Sequence, residues 1–418
     1  MPLANKARRT VRKLSLGAAI HVRESAWETS MARKISLLGL AVGLSACAAY
    51  SGPQQGAQTH PSPNGVVAIG AEDANAPDGA IRATPMPSAP LDLSTWPRRI
   101  IFASCLDENG DQSIWSRIAA EKPDLVLFIG DNVYGDVRSD DPALPELKTA
   151  YMRLAQSAPF AAVREAAPVL TVWDDHDYGL NDAGADFRHR DASEALFDYV
   201  WAVPTEDPRR SYPGVYGSWY FEGPGGAPGD RLQIIALDTR YFRSALTKTD
   251  DFGAPGKERY IPDRDPGKTM LGDVQWAWLE AELRKPARKR ILVSSIQVLA
   301  DGHGWEAWRT LPAERDRLYA TIREAAIDEI VILSGDRHAA AFYRTNVNGL
   351  EVYEVTSSSL NLPAARWREE SGETSVEAGP NRLGGMIYDA NYGVVETDPA
   401  SGALSITLRG PDGKPYAP

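Results

Sequence analysis

From Arg99 onward, short apolar runs alternate with stretches of helical period, and this alternation narrows the available folds more than any other feature. Ile100-Ile101-Phe102-Ala103, Leu125-Val126-Leu127-Phe128-Ile129 and Val169-Leu170-Thr171-Val172-Trp173 read as buried strands. So do residues 232–237, 291–298 and 330–333. Residues 114–120, 274–284 and 313–326 read as helices, and 144–167 as one or two more. Strands alternating with helices predict an α/β domain. Residues 341–408 differ: they hold short strands such as 351–355 and 404–408, with few helices, which predicts a mixed sheet completing the same domain.

Composition sets outer limits. At 43% hydrophobic and 24% charged, the 418-residue chain is neither disordered nor collagen-like, and two cysteines cannot staple a small domain. The 45 basic and 56 acidic residues leave a net charge of −11, which makes nucleic-acid binding a poor expectation, because phosphate neutralisation needs Lys and Arg.

The N-terminus suggests a role for one cysteine. Met31-Ala32-Arg33-Lys34 is basic, residues 35–46 are apolar or small, and Leu44-Ser45-Ala46-Cys47 follows. The run is too short to span a bilayer, which needs about 20 residues. It resembles a bacterial lipoprotein signal, in which Cys47 is lipidated and becomes the mature N-terminus. Residues 1–30 then read as an extension ahead of the true start, although Arg8-Arg9 leaves twin-arginine export as a minor alternative. Removing 1–46 takes away eight Lys/Arg and two Asp/Glu and deepens the net charge to −17. Residues 47–96 are rich in Pro, Gly, Ala, Ser and Gln and read as a flexible tether, leaving 97–418 as the folded domain. The expected location is the cell envelope, on the periplasmic or outer side, held to the membrane by lipid alone.

In open α/β sheets, ligands gather at the carboxyl ends of strands. There the sequence places Cys105; Asp131, Tyr134 and Asp136; Asp174, Asp175, His176 and Asp177; Gln297; and Asp336 and His338. Any one of these alone reads as a turn or cap. Together, so many carboxylates repel one another unless a cation lies among them. Carboxylates suit hard cations such as Ca²⁺ or Mg²⁺, while thiolate, phenolate and imidazole suit iron or zinc. Asp131 is a candidate bridge between two metals, an arrangement suited to phosphoester hydrolysis.

Gly130-Asp131-Asn132-Val133-Tyr134-Gly135-Asp136, Trp173-Asp174-Asp175-His176-Asp177-Tyr178-Gly179-Leu180-Asn181-Asp182 and Ser334-Gly335-Asp336-Arg337-His338 resemble the signatures of the alkaline phosphatase D (PhoD-like) family of calcineurin-like metallophosphoesterases. Leu237-Asp238-Thr239-Arg240, Gly304-Trp305-Glu306 and Thr356-Ser357-Ser358-Ser359 extend the resemblance in the right order. It implies a four-layer αββα sandwich built on two mixed sheets. It further implies Fe³⁺ held by Cys105, Asp131, Tyr134 and His338, and Ca²⁺ held by Asp131, Asp175 and Asp336. Whether Asp174 or Asp175 is the ligand stays open, and Gln297 is a further possible ligand. His176 is the implied catalytic acid, and Arg240 and Asn181 are the candidates for holding substrate phosphate.

The expected activity is that of an exported, metal-dependent phosphoric ester hydrolase, an alkaline phosphatase acting on small phosphomonoesters with metal-activated water. A phosphodiesterase or phospholipase acting on lipid headgroups is the first alternative. A non-catalytic lipoprotein that binds the envelope is the alternative of another class. Without a terminal helix to serve as a lid, the site is expected to be open enough for bulky esters. Asp107, Asn109 and Asp111 imitate an EF-hand start, but Gln112 and Ile118 stand at its sixth and twelfth positions, so that reading is rejected.

Overall fold

The apolar runs assemble into two mixed sheets in the computed structural model, which describes residues 20–22, 81–327 and 329–416. In chain order the elements are β1 (Ile20–Val22), β2 (Arg99–Ala103), α1 (Ile114–Ala120), β3 (Leu125–Ile129), α2 (Pro145–Ala155), α3 (Ala158–Ala166), β4 (Val169–Val172), α4 (Asp175–Tyr178) and α5 (Arg190–Val200). They continue with β5 (Gly217–Phe221), β6 (Leu232–Ala236), α6 (Gly272–Leu283), β7 (Lys289–Ser294), α7 (Pro312–Glu324), β8 (Glu329–Ser334), β9 (Ala340–Val347) and β10 (Leu350–Thr356). The last are α8 (Ala364–Ser371), β11 (Arg382–Ile387), β12 (Tyr392–Asp398) and β13 (Ala403–Arg409).

The first sheet has the order β1-β13-β12-β2-β3-β4, with β2, β3 and β4 parallel. The second has the order β11-β9-β10-β8-β7-β6-β5, with β6, β7, β8 and β10 parallel. Central parallel strands are covered on both faces, so β3 and β6 are buried throughout and unbroken apolar runs are what the positions require. Within β6, β7 and β8 the side chains divide by strand alternation. Ile234, Ile291, Val293, Val331 and Leu333 join the core shared with the first sheet. Ile235, Leu292, Ile330 and Ile332 pack against Trp276 and Leu279 of α6 and Leu318 and Ile322 of α7. On the first sheet, Phe128 meets Trp115 of α1 and Phe160 of α3 at ring-centroid distances of 5.3 and 6.1 Å. The result is the expected helix–sheet–sheet–helix sandwich.

Boundaries differ where local chemistry intervenes. The 144–167 stretch is two helices, because Ser157 caps the second by accepting a bond from the Phe160 N–H at 3.4 Å, with Pro159 in the first turn. Strand β7 ends at Ser294, where the Ser294 hydroxyl donates to the Ile296 carbonyl at 2.7 Å, so Gln297 lies beyond the strand. The mixed tail also holds a helix, α8.

The proposed signal, Cys47 and most of the tether lie outside the described residues. The tether's last part, 81–96, differs from expectation because it packs on the domain. Met86 and Trp96 are buried, and the Met86 N–H donates to the Val200 carbonyl at 2.6 Å. Strand β1 falls within the segment set aside as an extension and pairs antiparallel with β13.

Candidate metal centre

The parallel strands of both sheets deliver the predicted side chains to one place. Cys105 follows β2, Asp131 and Tyr134 follow β3, Asp174 to His176 follow β4, and Asp336 and His338 follow β8. The chain turns sharply to present them: Cys105, Asp131, Asp336 and His338 all sit at positive φ, from 48° to 67°, a conformation that concentrates at functional sites. Gly130, at φ 115°, is required before Asp131, since a Cβ there would lie 2.7 Å from the Asp174 Cβ.

Two overlapping donor groups result. In the first, the Cys105 thiol lies 3.4 Å and the Tyr134 hydroxyl 3.3 Å from Asp131 Oδ2, and the Tyr134 hydroxyl lies 3.3 Å from His338 Nε2. His338 Nδ1 meets the Leu362 carbonyl at 2.6 Å, which puts its hydrogen there and leaves Nε2 as a lone-pair donor toward the group. The Ser358 hydroxyl donates to Cys105 Sγ at 3.0 Å, so the sulfur is set up to carry negative charge. In the second group, Asp174, Asp175 and Asp336 each bring an oxygen within 4.8 Å of the others, and Asp131 converges likewise with Asp175 and His176.

These residues fit metal ions. Burial, then the charge of Asp131, pushes the Cys105 thiol well above its usual pKa. Burial, then the neighbouring carboxylates, raises Asp131 and Asp336. Tyr134 rises through burial and the nearby Cys105 and Asp131. A cation reverses each of these penalties, because it stabilises the charged forms. Asp174 Oδ2 is buried and has no hydrogen-bond partner, as an oxygen reserved for a cation would be. The mixed S, O and N donors of the first group suit iron or zinc, and the carboxylates of the second suit a hard divalent ion. Of the two adjacent aspartates, Asp175 belongs to both the Asp131 and the Asp336 clusters. Asp174 has its Oδ1 committed to Arg240 and Ser295.

His176 stands beside this centre. Its Nδ1 meets Asp136 Oδ1 at 2.9 Å, and its ring lies against Tyr134 with centroids 4.4 Å apart. Burial works against its charge, but Asp175, Asp131 and Asp136 overcome it and raise the imidazole to about 11. Asp136 supplies the direct contact to the ring, whereas Asp177, next in the chain, is engaged elsewhere. Asp177 Oδ1 accepts the N–H groups of Asp131 and Asp174 at 3.2 and 2.7 Å, and its Oδ2 accepts from Asn132 Nδ2 at 2.6 Å. It ties the β3 and β4 loops together.

Two expected roles do not match the geometry. Gln297 spends its amide nitrogen on Tyr343 and Thr356 at 3.1 and 2.9 Å and its oxygen on His303 at 2.9 Å, so neither end is free for a metal. Arg240 is fully buried rather than poised over substrate: its guanidinium binds Asp174 and Glu306, and Arg243 also pairs with Glu306 at 2.8 Å. Burial outweighs these arginines and raises Glu306 to about 7. Removing one partner of a buried pair leaves the other charge uncompensated. Arg240→Ala is therefore expected to lower stability by about 3–5 kcal/mol in chemical denaturation. Arg240→Lys should not restore it, because an ammonium cannot span both carboxylates. Asn181 is exposed and lines the cavity above the cluster, with a volume of about 1160 Å³.

The sandwich thus carries, at its strand ends, a buried cluster of side chains that could hold metal ions. The PhoD-like phosphatase family matches residues 100–407, and the chain belongs to that family. Alkaline phosphatase D of Bacillus subtilis (strain 168) is 25% identical over 320 residues, covering 68% of this chain and 52% of its own length. This chain thus spans about half the length of that relative. A solved structure of PhoD shares the fold with a TM-score of 0.60 and 19% identity, covering 78% of this chain and 73% of the other.

Proposed function

We propose that the protein hydrolyses phosphoric esters with two metal ions, with phosphomonoesters as substrates. The observation that carries this reading is the pair of donor groups sharing Asp131 at the strand ends. Cys105, Asp131, Tyr134 and His338 would hold Fe³⁺, and Asp131, Asp175 and Asp336, with the free oxygen of Asp174, would hold Ca²⁺. When bound, the metals supply an activated water and neutralise charge developing on the phosphoryl oxygens. The chain's own residues do the rest. His176, oriented through Nδ1 by Asp136, offers its Nε2 proton to the leaving oxygen as the P–O bond breaks. Asn181 at the cavity wall offers its amide to the phosphoryl group. With Arg240 occupied by Asp174 and Glu306, phosphate binding rests on the metals and on Asn181.

Turnover of p-nitrophenyl phosphate against its bis-ester tests the monoesterase reading. Faster cleavage of the monoester is expected, and faster cleavage of the diester would move the assignment to a phosphodiesterase. An intact donor set argues against a purely envelope-binding role. The iron assignment has its own check: the ferric protein should absorb visible light through a tyrosinate, and Tyr134→Phe should abolish the band. A colourless, active, fully metallated wild type would refute iron. Export as a lipoprotein is part of the same proposal, and mass analysis of the mature N-terminus should find lipid on Cys47.

A further inference from the structure

The cavity over the cluster is larger than a phosphate requires. At about 1160 Å³ it exceeds the range of about 300–1,000 Å³ common for small-molecule sites. Its outer wall is also unusual. Of the seven large apolar side chains with marked exposure among the described residues, three line this one cavity. They are Phe252 at 77%, Val376 at 60% and Trp367 at 43%. Single exposed apolar residues are ordinary, but three converging on one concave site point to a ligand. The wall begins at the metal cluster itself: Trp367 of α8 meets the His338 ring edge to face, with centroids 4.8 Å apart. Tyr388 continues it, with the Arg368 guanidinium 4.0 Å above its ring. Arg368 also donates through Nη2 to the Ser375 carbonyl at 2.5 Å, which fixes it against the Tyr388 ring.

We infer that this wall is a subsite for the apolar organic group of a phosphate ester whose phosphoryl group lies on the cluster. The inference rests on the phosphoesterase reading above. The apolar group covers Trp367 and Phe252. A polar alcohol would leave these side chains in water and gain nothing from them.

Binding separates this inference from the reading it rests on. Alkylphosphonates, from methyl to octyl, keep a C–P bond that is not hydrolysed, and their affinity for the metal-replete full chain can be measured by calorimetry. Each added methylene should tighten binding about two- to fourfold until the wall is covered. Trp367→Ala and Phe252→Ala should flatten that dependence. Both side chains are exposed, and thermal melting verifies that the variants fold. Affinity independent of chain length, or an unchanged slope in both variants, would overturn the subsite even with ester turnover intact. A chain-length slope without turnover of any ester would uphold the subsite and overturn the hydrolase reading. A second arm separates the sources of the organic group. A short-chain phospholipid below its micelle concentration is compared with the same headgroup in vesicles. Preference for the monomeric form is expected of a concave subsite, and preference for vesicles would contradict it.

Discussion

Asp131→Asn should abolish ester hydrolysis and release both metal ions. Among the described residues, Asp131 is the one side chain that meets the thiol and phenol of the first donor group and also converges with Asp175 of the second. Asparagine has nearly the same shape, so the fold has little reason to change. It lacks the negative charge that offsets two cations, and its amide nitrogen cannot ligate. The loss should reach at least about 10³-fold in kcat/KM, since removal of a single stabilising hydrogen-bond donor from an active site already costs about 10²–10³. Elemental analysis of the variant should show both sites depleted. Retention of both metals at wild-type levels would mean that Asp131 bridges nothing.

The second large effect is expected at a residue that holds no metal. Asp177→Ala removes the acceptor for the Asp131 and Asp174 N–H groups and for the Asn132 amide, all buried. Three buried donors would lose their partner at once. Burial raises Asp177 to about 8, so the cost is counted from the stranded donors, at about 1–3 kcal/mol each, which gives an expected loss of about 3–5 kcal/mol. The loops carrying Asp131 and Asp175 would also lose their tie, which should weaken metal binding about 10–100-fold. Asp177→Asn keeps one acceptor oxygen for the two N–H groups and should fall between. Denaturation midpoints and metal titrations report the two effects separately. If Asp177→Ala melts early yet binds metal with wild-type affinity, the tie does not position the ligands.

Much of this was legible in the sequence because strand ends and chemistry coincide. The apolar runs marked β2, β3, β4, β6, β7 and β8, and the polar residues after β2, β3, β4 and β8 formed the cluster. What stayed hidden depended on partners distant in the chain. Arg240 follows a strand much as a phosphate clamp would. Only the approach of Asp174 and Glu306, each 66 residues away, shows it to be part of a buried ion network. Gln297 stands near a plausible ligand position, but Tyr343, Thr356 and His303 consume its amide. His303, flanked by glycines, lines the cavity and is a buried partner of Gln297, a pairing no local pattern announces. Asp136 lay in a motif singled out for other residues, and no local pattern marks it as the partner of His176. Helix α5 was missed despite a usable signal: its buried residues Ser193, Leu196, Phe197 and Val200 keep helical spacing. Helix α8, which brings Trp367 to the cavity, has no buried residue and so no apolar stripe to announce it.

The central claim is that two metals held through Asp131 carry the activity. The most direct test is metal content measured alongside p-nitrophenyl phosphate turnover, before chelation, after chelation and after readdition of Ca²⁺ to the iron-loaded protein. The account predicts two metal ions per chain, loss of turnover when they are removed, and recovery when both sites are refilled. Full activity in protein stripped of both metals would contradict it.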